Sequence, residues 1–392
     1  MLSQRVRVIE PSATFAVNSL RLKLQSEGKR IVNFGAGEPD FDTPAFITEA
    51  GIQALRDGWT RYTPVAGVPA LRAAVAEKIG TARGVTIEPE QVIITSGAKQ
   101  ACAEVMLARV DPGDEVLLPA PYWVSYPELV RLADGIPVVV PTQVDSDYKV
   151  TPQQLEQHVT PRTVGLVLNT PSNPTGAVYS HDEVEAIVAF ADSHDLWIMS
   201  DEIYDRFVYE GEFASPYRAG VGAQRTMLVS GVSKTYAMTG WRIGWTIADQ
   251  ETIAGMGRLQ GHAASNAAAV SQGAALAAVQ ATDESFLDDM IDAYRGRRER
   301  AIELLSAIPG LRFPRPAGSF YVFLDLGEIL GRDGGPQTGG EFCEQVLAEH
   351  GVAMVPGEAF GDPQGARISY CCSIDEVEQG IQALHRFVDA LA

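Results

Sequence analysis

Six short apolar runs recur between residues 91 and 229: Gln91–Thr95, Glu115–Leu118, Pro137–Val140, Val164–Leu168, Leu196–Met199 and Thr226–Val229. Helical patterns such as Lys99–Val110 and Asp182–Ser193 lie between them. Apolar strands alternating with helices predict an α/β chain whose sheet is mostly parallel and buried on both faces. On such sheets ligands sit at the carboxyl ends of the strands. Asn169, Ser200, Asp201 and Ser230 fall just past the apolar runs, so a site is expected where they converge.

From about residue 278 the texture changes. Glu284–Ala307 reads as a long charged helix ended by Pro309 and Gly310, followed by an apolar run at Ser319–Asp325 and a Gly-rich loop at Gly331–Gly340. A helix at Glu341–His350, a strand at Arg367–Cys371 and a last helix from Ile374 complete a smaller α+β unit. A length of 392 residues also favours two domains over one.

Charge narrows the function. A formal net charge of −19 argues against nucleic acid and anionic membranes, which require a basic footprint. It leaves room for a small anionic ligand held by a few local cations. No run of eighteen uncharged apolar residues predicts a membrane span, and the start lacks the apolar block of a signal peptide. Cys102, Cys343, Cys371 and Cys372 show no Cys-x-x-Cys spacing, which fits a reducing cytoplasm better than a disulfide framework or zinc site. The six histidines have no metal-ligand spacing, and no Gly-x-Ser-x-Gly elbow is present.

The chemistry concentrates in Gly231–Arg242. Lys234 follows the run Thr226–Val229, and Arg242 lies eight residues beyond it. A lysine amine can form an imine with an aldehyde. An arginine offers a planar fork of donors to a phosphate. Together they suit pyridoxal phosphate, an aldehyde with a phosphate handle.

This segment resembles the lysine signature of the class I/II aminotransferases, pyridoxal-phosphate enzymes of fold type I, and is most similar to their bacterial aspartate aminotransferase branch. Gly35–Pro44, Tyr62-Thr63-Pro64, Pro121–Tyr126, Asn173–Gly176, Ser200–Tyr204 and Arg367–Tyr370 match further family motifs in family order. The resemblance implies a large cofactor-binding domain over 46–283 and a small domain formed by 1–45 with 284–392.

It also implies roles. Lys234 is the catalytic lysine, Asp201 faces the protonated pyridine nitrogen, and Tyr204 with Asn173 meets the ring hydroxyl. Gly97, Ala98 and Lys99 open a helix whose N–H groups can approach a phosphate, with Ser233 and Arg242 as further phosphate contacts. Trp123 resembles the residue stacked on the ring, although core packing explains most single tryptophans. Asn173-Pro174 suits a plain turn as well, and in relatives is a cis peptide. Arg367 and Gly37 resemble the groups that hold the substrate α-carboxylate. Tyr62 resembles the tyrosine that reaches the neighbouring subunit's phosphate, which implies a homodimer with shared sites. Relatives often carry a serine three residues before the lysine; here the position is Gly231, and that contact is missing.

The implied reaction moves an amino group between an amino acid and a 2-oxo acid. Lys99, at a position facing the substrate's distal carboxylate in the bacterial branch, points to L-aspartate with 2-oxoglutarate; a solvated lysine is the alternative. No second arginine for that carboxylate is identifiable. Aromatic or neutral amino acids, prephenate, or β-lyase chemistry remain open.

Overall fold

All six apolar runs are strands of one seven-stranded sheet in the computed structural model, which describes residues 2–11, 13–218 and 222–391. In chain order the strands are β1 (Val32–Asn33), β2 (Val92–Thr95), β3 (Glu115–Ala120), β4 (Ile136–Pro141), β5 (Thr163–Asn169), β6 (Trp197–Asp201) and β7 (Thr226–Gly231). They continue with β8 (Gly244–Ile247), β9 (Tyr321–Asp325), β10 (Val352–Ala353), β11 (Val355–Pro356) and β12 (Gly365–Ser369). The large sheet has the order β2-β8-β7-β6-β5-β3-β4.

Six of its strands run parallel to one another, as the pattern predicts. The seventh, β8, runs antiparallel to both β7 and β2. Its four residues, Gly244-Trp245-Thr246-Ile247, are too short a run to announce a strand by themselves. Every residue of β2, β6, β7 and β8 is buried, because helices cover both faces. Strand β4 lies at an edge and is largely open to solvent. That position accommodates Pro137 and Pro141, which lack the N–H a central strand would need.

Local chemistry sets the helix ends close to the expected ones. Ser180 and Glu183 form a capping box at the start of helix His181–Ser193, and Ser373 with Glu376 does the same for helix Ile374–Ala390. The long charged helix runs Ser285–Leu305. The last strand is Gly365–Ser369, two residues earlier than the expected Arg367–Cys371, because its ladder with β9 ends at the Ser369–Tyr321 pair.

Strands β11, β12 and β9 form a small antiparallel sheet, and β1 pairs in parallel with β10. Phe34, Tyr294, Phe320, Phe342, Ile368 and Phe387 share one apolar cluster, which joins the early chain to the C-terminal part. The four cysteines are free and buried. Among the described residues no helix is long and apolar enough to cross a membrane, and no His, Cys, Asp and Glu group could hold a metal.

Candidate active site

The sheet directs its carboxyl ends to one place. From the boundary between β3 and β5 the chain winds outward in both directions, a switch point where α/β sheets form crevices. A cavity of about 470 Å³ opens there. Asn169 ends β5, Asp201 ends β6, and Lys234 follows β7 by three residues. Asn169 and Asp201 are the last ladder residues of their strands rather than residues beyond them, and Ser230 lies inside β7. The ladders continue through polar residues because backbone pairing does not need apolar side chains. Because β8 runs backward, its start lies at the same edge and brings Arg242 there.

The cavity wall contains Gly37, Ala98, Lys99, Trp123, Asn173, Asp201, Tyr204, Ser233, Lys234, Arg242 and Arg367. Gly97 lies beside it, with a φ of 84°, and a Cβ there would stand 2.5 Å from the Arg242 guanidinium. The helix Ala98–Arg109 therefore starts with no capping side chain, and its first N–H groups stay open to an anion. Tyr62 is elsewhere: it is 88% exposed and does not line this chain's own cavity. The Asn173–Pro174 peptide is cis, as are Ala120–Pro121 and Thr170–Pro171.

Lys234 donates through Nζ to the Gly37 carbonyl at 2.5 Å. Desolvation lowers its amine to about 8, with the charges of Arg242 and Arg367 acting the same way against Glu38. Such an amine is partly unprotonated near neutral pH and can act as base or nucleophile. Asp201 is buried, which raises its carboxyl above the usual range, while hydrogen bonds from Tyr126 Oη at 2.8 Å and the Ile203 N–H at 3.2 Å oppose that rise. The Cys102 thiol lies 3.9 Å from Asp201 Oδ2.

Arg367 is 2% exposed and donates to Asn173 Oδ1 at 3.1 Å and to the Gly35 carbonyl at 2.8 Å. Its Nε has no partner among the described residues. A buried donor left open costs stability, which suits a group kept for an anion. Tyr204 Oη lies 2.9 Å from Tyr321 Oη, so the two phenols form a pair in the wall. Lys99 Nζ sits 4.9 Å from the centre of the Trp123 ring, and its ammonium is lowered by desolvation and by Arg242.

Several wall residues escaped the sequence reading. Tyr126 lies one turn after Trp123, with ring centroids 5.3 Å apart, and that spacing was a usable signal. Glu38 lies inside the matched Gly35–Pro44 segment, whereas Tyr321, Asn18 and Arg21 carried no signal, because chain folding alone brings them to the cavity. The absence of a serine at Gly231 has a steric reason. Gly231 pairs across the ladder with Gly244, and a Cβ on it would stand 2.8 Å from the Ile243 carbonyl oxygen.

These residues fit pyridoxal phosphate in kind. An amine of lowered basicity, a buried carboxylate, an uncapped helix start and an adjacent arginine match an aldehyde, a ring nitrogen and a phosphate.

The family model for aminotransferase class I and II matches residues 29–384. An aspartate aminotransferase of Geobacillus stearothermophilus is 39% identical over 398 residues, covering 100% of both chains. An aspartate/prephenate aminotransferase of Thermus thermophilus is 42% identical, over 100% of this chain and 98% of the relative. Among solved structures, the Thermus thermophilus aspartate aminotransferase with maleate superposes with a TM-score of 0.94 at 41% identity, covering 98% of this chain and 99% of that one. The Rhizobium meliloti aspartate aminotransferase gives 0.95 at 36% identity, with 99% coverage of each chain. Full-length similarity in sequence and fold, on a site of this chemistry, means that the chain belongs to the class I and II aminotransferases.

Proposed function

We propose that this aminotransferase uses pyridoxal phosphate to move the amino group of L-aspartate to 2-oxoglutarate, and runs the reverse with glutamate and oxaloacetate. The observation that carries this reading is the meeting of Lys234, Arg242 and Arg367 in one cavity of a chain whose net charge is −19. When bound, the cofactor supplies an aldehyde that exchanges for the amino group and a ring that accepts the electron pair left at the substrate Cα.

The chain's own residues do the rest. Arg367 and the Gly37 backbone hold the substrate α-carboxylate and so orient the Cα–H bond. Lys234 Nζ, at about 8, would take that proton and deliver it to the cofactor carbon that receives the amino group, and would move it the other way in the opposite half-reaction. Asp201 accepts a hydrogen bond from the ring nitrogen in a water-poor setting, where one charge partner counts for most. Tyr204 and Asn173 would hold the ring oxygen, Trp123 would cover the ring face, Gly97, Ala98, Lys99, Ser233 and Arg242 would surround the phosphate, and Lys99 would also face the distal carboxylate of aspartate. Tyr62, exposed on its own subunit, reaches the phosphate of a second subunit in a homodimer. Residues 46–283 form the cofactor-binding domain, with 1–45 and 284–392 as the smaller one.

A steady-state panel tests the reading. With 2-oxoglutarate as acceptor, aspartate should give a higher kcat/KM than alanine or phenylalanine, with prephenate tested as acceptor because some relatives are named for it. A higher kcat/KM for alanine or phenylalanine would overturn the aspartate assignment.

A further inference from the structure

The cavity has a cation that the proposed reaction does not use. Its wall carries Arg21, Lys99, Lys234, Arg242 and Arg367 against two acids, Glu38 and Asp201. In the reading above Arg242 answers the phosphate, Arg367 the α-carboxylate and Lys99 the distal carboxylate, which leaves Arg21 without a role. Arg21 comes from the early helix Ala13–Ser26, whose sequence contains Arg21 and Lys23 but no acid.

Its hydrogen-bond partners among the described residues are neutral. Nε and Nη2 donate to Asn18 Oδ1 at 3.1 and 2.8 Å, and Nη1 donates to Gln25 Oε1 at 2.8 Å. Asn18 and Gln25 lie three residues before and four after Arg21, so the contacts fix the guanidinium along one helix face. Three of the five N–H groups are engaged, and no carboxylate pairs with Arg21 among the described residues. Val17, one turn earlier, also lines the cavity and lies 3.4 Å from the position a Cβ on Gly35 would take. Gly35 in turn is bonded through its carbonyl to Arg367. The helix face bearing Arg21 therefore stands beside the α-carboxylate holder.

We infer that Arg21 is a specificity-determining residue: its guanidinium binds the distal carboxylate of a dicarboxylic substrate, alongside Lys99 in the same cavity. This rests on the acidic-substrate reading above. A preset guanidinium with open donors favours a carboxylate more than a neutral side chain. An anionic side chain would then tie the early helix to the helix that bears Lys99, whereas alanine would not.

Calorimetric titration of the cofactor-loaded enzyme with succinate and with butyrate tests this, beside kcat/KM for aspartate and alanine. In the Arg21→Gln variant the preference for succinate over butyrate should fall about tenfold or more, with the loss for aspartate in KM rather than kcat. Arg21→Lys should restore part of that preference, since it returns the charge without the fork. An unchanged preference in Arg21→Gln, while wild type discriminates, would overturn the role of Arg21 and leave the aspartate reading standing. Equal losses for both acids would overturn it too, since they would mark a structural role. A wild type that does not prefer succinate would overturn the acidic-substrate reading itself, and this inference with it.

Discussion

Lys234 Nζ lies 2.5 Å from the Gly37 carbonyl oxygen, so the amine after β7 is bound directly to the Gly35–Pro44 segment, which lies 197 residues away in sequence. That bond places the proposed proton carrier against the backbone expected to meet the substrate carboxylate.

Lys234→Met should abolish transamination and also stabilise the cofactor-free protein. An ordinary lysine amine titrates near 10.5, and this one near 8. Between those values the unfolded chain binds more protons, so stability rises with pH there, and the penalty is full below pH 8. The variant should therefore be more stable than wild type at pH 7 by about 3 kcal/mol, and the gap should narrow to below about 1 kcal/mol by pH 10. Chemical denaturation at both pH values measures it; a gap independent of pH would mean that the amine is not desolvated.

Asp201→Ala should slow removal of the substrate Cα proton by about a hundredfold or more, the scale of a lost electrostatic contact in a transition state. Cofactor binding should fall far less. Deuterated aspartate in single-turnover experiments isolates the step, and a near wild-type rate would remove Asp201 from the mechanism.

Lys99→Ala should lower kcat/KM for aspartate by about ten- to a hundred-and-fiftyfold, the range for one hydrogen bond to a charged group. Losses for alanine or phenylalanine should be much smaller. Equal losses across the panel would point to the phosphate side of the cavity instead.

Mixing tests the shared site. Tyr62→Ala and Lys234→Ala subunits are each expected to be inactive or impaired, and hybrid dimers of the two should regain one intact site. Activity that does not recover on mixing, or a protein that sediments as a monomer, would count against Tyr62 acting across subunits.

Glu104 offers a check away from the chemistry. It is 4% exposed on the helix Ala98–Arg109; desolvation lifts its carboxyl to about 7, against the pull of Gln100. One oxygen has no partner among the described residues. The folded state holds the proton more tightly than the unfolded one, so stability falls as pH rises from 4.5 to 7. Glu104→Gln should therefore raise Tm at pH 8, by about 1–3 kcal/mol of stability, and leave it nearly unchanged at pH 4.5. A difference of the same size at both pH values would assign it to packing.

Much of the fold was legible in the sequence because the forces that shape it are local or periodic. Val, Ile and Leu runs mark strands buried on both faces, and Ser180 with Glu183 or Ser373 with Glu376 mark helix starts. The turn after β2 and the Lys234 segment were legible for the same reason: each is a short stretch whose residue types are tied to its own backbone. Tertiary structure alone decided the rest. The antiparallel run of β8 carries Arg242 back to the strand ends. Chain crossing pairs Tyr204 with Tyr321, sets Gly231 against Gly244 and brings Arg21 to the wall that holds Lys234. These relations depend on sheet order and on packing between segments many residues apart, and no local pattern encodes which distant surfaces will meet.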